Sequence, residues 1–161
     1  MSKTIQIKPL TAENFAKYGK IIDLNQPNGD VSDGMVDYWP LYGVTCKLPT
    51  VGILEIRRQG GVSPQALERH LLYEEVFIPV DGMGVMPFAP AADLENLDAE
   101  PDISRIEAFL IDGTKALVIE KGVWHYPARP ITPAIRFAMV VSEECGNDLY
   151  EKPVEGVVVT L

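Results

Sequence analysis

The five residues 76–80 read Val-Phe-Ile-Pro-Val, an unbroken apolar run closed by Asp81-Gly82. In a strand, alternate side chains leave opposite faces, so Val76, Ile78 and Val80 point one way and Phe77 the other. Both faces then need cover, which a single open sheet cannot give. Short β-like runs of this kind recur along the chain at 5–10, 20–24, 35–46, 51–58, 83–88, 103–111, 115–119, 134–142 and 157–161. Gly, Pro, Asn and Asp punctuate them. About nine or ten short strands at this spacing predict an antiparallel double-sheet roll.

Local signals refine the reading. Thr11 is a suitable N-cap for a short helix that runs through Lys17 and stops at Gly19. The segment 83–88 is expected to pair back on the strand before it, and 103–111 to form a hairpin with 115–119 across Asp112-Gly113. Residues 25–34 form a polar loop long enough to lie over a pocket. Residues 59–64 are a Gly-rich connection, and 90–101 are an acidic excursion with room for a helical turn.

The chain has 2 histidines, and they fall in two stretches of related form. In the first, Glu68 and His70 are two apart, so an extended backbone puts them on one face; Glu75 and then Gly82 follow. In the second, Gly122 precedes His125 by three residues. Two hairpins thus each aim one histidine, and the expected result is a shared pocket of His70, His125, Glu75 and Glu68.

This pair of stretches resembles the two signature motifs of the cupin superfamily, H-x-H followed by Glu and Gly, and then G-x-x-H. Glu68 stands where the first histidine would be. Leu67-Glu68-Arg69-His70, then Phe77-Ile78-Pro79, then Val123-Trp124-His125-Tyr126-Pro127 sharpen the likeness to one cupin branch, the ureidoglycolate lyase family, formerly called ureidoglycolate hydrolase. The likeness runs from Pro9-Leu10-Thr11, Phe15 and Tyr18-Gly19 to Gly146-Asn147-Asp148, nearly the whole chain. Two places depart from it. Tyr126 stands where relatives carry a second histidine, and Val31-Ser32-Asp33-Gly34 stands where they carry a histidine and asparagine stretch.

The resemblance implies an all-β, cupin-like double-stranded β-helix (a jelly-roll barrel) with a short N-terminal helix, as a single domain over 1–161. It also implies a carbon–nitrogen lyase that releases urea and glyoxylate from ureidoglycolate in allantoin and purine catabolism. Such chemistry needs a base for the hydroxyl proton, an acid for the departing nitrogen and a clamp for the carboxylate. A neutral imidazole, His125 or His70, suits the base, with Glu68 or Glu75 orienting it or serving as acid. Arg57, Arg58 and Lys121, with Tyr126, are candidate substrate-binding residues, since guanidinium groups grip carboxylates with paired hydrogen bonds. Neighbouring arginines 57 and 58 point to opposite faces, and alternation alone does not choose between them. His70, Glu75, His125 and Glu68 also form a donor set for a divalent transition metal. Two other classes fit the same pocket: a metal-dependent cupin isomerase or dioxygenase on another small hydroxy acid, and a noncatalytic small-acid-binding cupin.

Composition enters where partners are concerned. A formal net charge of −9 opposes binding to nucleic acid or to an anionic membrane. No apolar run approaches the ~18 residues of a membrane span, and the N-terminus does not read as a signal peptide, so a cytoplasmic location is expected. Cys46 and Cys145 lack metal-ligand spacing and read as free, partly buried thiols without assigned chemistry. Trp124 is expected in the core. Strands apolar on both faces make a homodimer the expected cover.

Overall fold

The computed structural model describes residues 2–26, 31–32, 35–38, 42–44 and 46–160. In chain order its strands are β1 (Lys3–Pro9), β2 (Gly19–Asp23), β3 (Val31–Ser32), β4 (Asp37–Tyr38), β5 (Pro49–Arg57), β6 (Ala66–Arg69), β7 (Glu75–Asp81) and β8 (Gly84–Ala89). They continue with β9 (Glu107–Ile111), β10 (Lys115–Ile119), β11 (Trp124–His125), β12 (Arg129–Pro130), β13 (Ala134–Ser142), β14 (Tyr150–Pro153) and β15 (Val157–Thr160). One helix, α1 (Ala12–Phe15), follows β1. Its N-cap is Thr11, whose hydroxyl accepts from the Asn14 amide. The helix ends short of Lys17, and residues 16–18 form a turn into β2.

Two sheets hold nearly all of these strands. The larger runs β14-β6-β11-β8-β9-β1-β15, with β12 also pairing to β8; the smaller runs β2-β10-β7-β13-β5. The architecture is the cupin-type double-stranded roll, and the described residues are all-β apart from α1 and two short 3-10 turns. Among the described residues, no helix is long and apolar enough to cross a membrane.

Three expectations need correction. Neither Asp-Gly turn closes a hairpin: β7 lies in the five-stranded sheet and β8 in the eight-stranded one, while β9 pairs with β8 and β1, and β10 with β2 and β7. Each turn therefore carries the chain between sheets. Every residue of β8 is buried, so it must be flanked within a sheet and covered on both faces, which a hairpin with β7 would not achieve. Gly82 takes φ +78 at one crossing, where a Cβ would lie 2.2 Å from the Ala134 carbonyl oxygen. Second, the pairing is mixed, because β1 runs parallel to both β9 and β15. Third, the strand segments number fifteen among the described residues, since sequence patterning misses two-residue pieces such as β11 and β12.

Smaller differences follow the same logic. Of the expected strand 35–46, the described part pairs only at β4 with β3. Much of the polar loop 25–34, including Asp33-Gly34, and part of 35–46 lie outside the described residues, as does Leu161. The helical turn expected in 90–101 falls later, as a 3-10 turn at Ile103–Arg105.

The barrel interior is aromatic. Phe15, Tyr18, Phe88 and Phe109 meet edge-on or tilted, and Phe77 meets Phe137 at 5.5 Å. Each such ring fully buried contributes about 1.5–3 kcal/mol. A second cluster of Ile5, Leu67, Val85, Ile106, Trp124 and Val157 packs on the other side of the large sheet. Trp124 is fully buried there, with the Arg69 guanidinium 4.6 Å from its ring.

Candidate active site

Strand alternation separates chemistry from packing on β6. Leu67 and Arg69 face the second apolar cluster, which leaves Glu68 on the barrel side. On the neighbouring strand β11, Trp124 takes the outer face and His125 the inner one, and His125 is the direct register partner of Glu68. Gly122 takes φ +79 in the turn ahead of β11, and its amide donates to the His70 carbonyl, tying the two histidine-bearing stretches together.

His70 lies one residue past β6, and two contacts to one residue set its position. Its Nδ1 lies 2.9 Å from the Asp148 carbonyl oxygen, to which it donates, and this turns Nε2 toward Glu75. The Asp148 carboxylate accepts from the amides of Leu71 and Leu72, which pins the turn after His70. His125 is fixed alike, with Nδ1 3.0 Å from the Val123 carbonyl oxygen.

Glu75 opens β7 in the opposite sheet and reaches across to both imidazoles. Its Oε2 is 2.9 Å from His125 Nε2 and 3.6 Å from His70 Nε2, and Glu68 Oε1 stands 4.0 Å from His125 Nε2. All four expected site residues are thus brought together, with His125 only 2 % and Glu75 5 % exposed. Burial opposes charge on Glu75 and on His125. Their contact outweighs it, holding Glu75 below the usual carboxylate range and His125 above the usual imidazole range. Burial pushes Glu68 upward.

One member was not foreseen. Cys145, in a 3-10 turn (Cys145–Asn147), puts its sulfur 3.4 Å from His70 Nδ1, 3.6 Å from His70 Nε2 and 3.5 Å from Glu75 Oε1. Burial, reinforced by Glu75, pushes this thiol up to about 12. Nothing in its spacing announced it, since its partners lie 70 and 75 residues away. Cys46 lies 3.7 Å from the neighbouring Lys47 carbonyl.

The residues expected to bind substrate lie elsewhere. Arg57 pairs with Glu55, and both line a cleft of 330 Å3 with Gln59, Tyr126 and Arg129; none of the four converging residues lines it. Arg58 donates to the Ile131 carbonyl, and Lys121 lines a hollow with Leu72, Glu74 and Glu120.

The donor chemistry suits a divalent transition metal. Glu75 Oε2 and His125 Nε2 are both buried and have no aligned hydrogen-bond partner, and Glu68, His70 and His125 each offer a ligand atom within 4.8 Å of the others.

Comparison with known proteins points one way. The ureidoglycolate lyase family matches residues 2–160. The chain is 31 % identical over 141 residues to a relative from Agrobacterium fabrum, covering 86 % of this chain and 83 % of that one. It is 30 % identical over 129 residues to the ureidoglycolate lyase of Escherichia coli, covering 76 % and 78 %. Among solved structures, RmlC from Streptococcus suis in complex with dTDP-D-xylose is similar at a TM-score of 0.41 and 13 % identity, over 58 % of this chain and 43 % of that one.

Proposed function

The chain belongs to the ureidoglycolate lyase family, and we propose that its buried histidine and glutamate cluster breaks the carbon–nitrogen bond of ureidoglycolate, releasing urea and leaving glyoxylate. The observation that carries this reading is the convergence of His70, His125, Glu68 and Glu75 inside the barrel, from both sheets, at hydrogen-bonding and near-ligand distances.

Elimination of urea moves two protons. The hydroxyl on the reacting carbon loses one as its oxygen becomes the aldehyde oxygen of glyoxylate, and the departing urea nitrogen gains one. The sequence reading made a histidine the base. The contact with Glu75 favours the reverse: His125 keeps its proton and delivers it to nitrogen, while Glu68, its cross-strand partner, takes the hydroxyl proton. Raised by burial, Glu68 is a stronger base than an exposed carboxylate. Glu75 holds the His125 ring in place, and Asp148 does the same for His70.

Of the four donors, His70 and Glu75 would hold a divalent metal, leaving Glu68 and His125 for proton transfer. Such an ion, when bound, lowers the pKa of a hydroxyl it touches. Among the cations, Lys121 is our candidate for the carboxylate anchor, because it precedes Gly122, whose amide bonds the His70 carbonyl, and shares a hollow with Glu74, the neighbour of Glu75; Arg57 and Arg58 are the alternatives. We also take the protein to act as one cytoplasmic domain over 1–161 and as a homodimer. Support for the dimer is an exposed apolar face: Val51 and Ile53 on β5 are 75 % and 70 % exposed, and Val80 on β7 is 57 % exposed.

The decisive experiment incubates purified protein with ureidoglycolate and follows urea and glyoxylate together. Equal release of both supports the reading. Absence of urea would leave only the family and fold.

A further inference from the structure

We propose that Cys145 is a metal ligand, so that with His70 and Glu75 it forms a thiolate-containing site for a zinc-type divalent cation. Three distances carry this. Cys145 Sγ lies 3.6 Å from His70 Nε2 and 3.5 Å from Glu75 Oε1, and His70 Nε2 lies 3.6 Å from Glu75 Oε2. An ion with tetrahedral bonds of about 2.0–2.3 Å to N, O and S spaces its ligands at about 3.4–3.6 Å; the edge from sulfur to imidazole nitrogen has that length, and the Glu75 carboxylate faces both ends of it, Oε1 toward the sulfur and Oε2 toward the imidazole. His70, Glu75 and Cys145 each offer one such atom within 4.8 Å of the others.

A second observation points the same way. Glu75 Oε2 is buried without an aligned partner and directed into this space, as is His125 Nε2 beside it. Leaving such atoms unsatisfied is costly at this depth, and an ion on the Glu75 carboxylate removes part of that cost. A mixed sulfur, nitrogen and oxygen set selects Zn2+ or Co2+ over Mg2+ or Mn2+. Binding converts the thiol to a thiolate and releases its proton to solvent. Metal uptake here does not depend on which substrate the pocket takes.

The test uses the full chain, stripped with chelator and titrated with Co2+. One equivalent should give a thiolate-to-cobalt charge-transfer band in the near ultraviolet; Cys145→Ser should lose it and Cys46→Ser should keep it. A wild-type protein that shows no such band, or a Cys145→Ser protein that shows it undiminished, would overturn the proposal. Should Cys145→Ser fail to fold, the unsubstituted protein still decides. One equivalent of Zn2+ should slow alkylation of Cys145, read by peptide mass, at least tenfold while Cys46 reacts at its former rate. Equal rates at Cys145 with and without Zn2+ would overturn it too. Neither readout involves urea release, so failure here and failure of the lyase reading are separate results.

Discussion

His125 and Glu75 approach to 2.9 Å although they belong to different sheets, His125 to β11 of the larger and Glu75 to β7 of the smaller. The roll exists to cover strands that are apolar on both faces. The same closure brings two buried titratable groups into contact where neither sheet alone could. Charge on either group is costly at this depth, and each makes the other tolerable. The site is therefore a property of the closed barrel.

Loss of the proton donor should be felt in turnover. His125→Ala should lower urea release by at least about 100-fold, the usual scale for a positioned proton-transfer group. Glu68→Gln, which keeps the shape, should lower kcat by a similar factor while KM changes little. Steady-state kinetics on both variants, with circular dichroism to confirm folding, check this. Wild-type rates in His125→Ala would remove that residue from the chemistry.

The four converging residues were readable from the sequence because each sits at a fixed offset within a short stretch: Glu68 and His70 by alternation, Glu75 at the start of an apolar strand, His125 after Gly122. What could not be read is non-local. Asp-Gly serves a hairpin or a crossing between sheets equally well, and the choice depends on distant strands such as β13 and β2 that pair with β7 and β10 instead. Cys145 reaches the site from a turn whose position is set by Asp148 and the backbone beside His70, a contact across 77 residues. No periodicity encodes such a contact. The short helix was legible at its N-cap and not at its end, because Tyr18 leaves helical geometry to donate a hydrogen bond to Glu107 on β9.

That contact predicts an acid-labile element of stability. Glu107 accepts from Lys8 at 2.8 Å, from Tyr18 at 2.9 Å and pairs with Lys17 at 3.0 Å. Burial would raise its pKa, but these donors prevail and hold it below the usual carboxylate range. A folded pKa below the unfolded one gives stability that is present at neutral pH and lost as pH falls through the carboxylate range. The Tm of the wild type should exceed that of Glu107→Gln at neutral pH, and the gap should narrow as pH falls below the unfolded carboxylate pKa and close below the depressed folded one. A gap independent of pH would mean that Glu107 stabilises by shape alone.

Substrate anchoring separates the cations. If Lys121 grips the carboxylate from the hollow it shares with Glu74, Lys121→Ala should raise KM about tenfold or more with kcat little changed. Arg57→Ala, in a cleft that none of the four converging residues lines, should leave both constants within about twofold. The opposite pattern would move the anchor to Arg57.

The last prediction concerns assembly. Ile53, Ala138 and Ile78 are register partners in a row across β5, β13 and β7, so they share one face of the smaller sheet. Val51 and Val80 lie two residues away along β5 and β7 and extend the patch on that face, much of it exposed. Among the described residues β5 is also an edge strand, with β13 on one side. A large exposed apolar face beside an open edge invites association, and a two-fold contact lets the same patch cover itself. Light scattering at micromolar concentration should give twice the chain mass for the wild type. Ile53→Asp places a charge in the middle of the patch without touching the barrel interior, where Leu54 and Ile56 pack, so it should shift the protein toward monomer while the circular dichroism spectrum stays unchanged. A wild type that scatters as a monomer would show that this face is tolerated in water. An Ile53→Asp dimer would place the contact on another face.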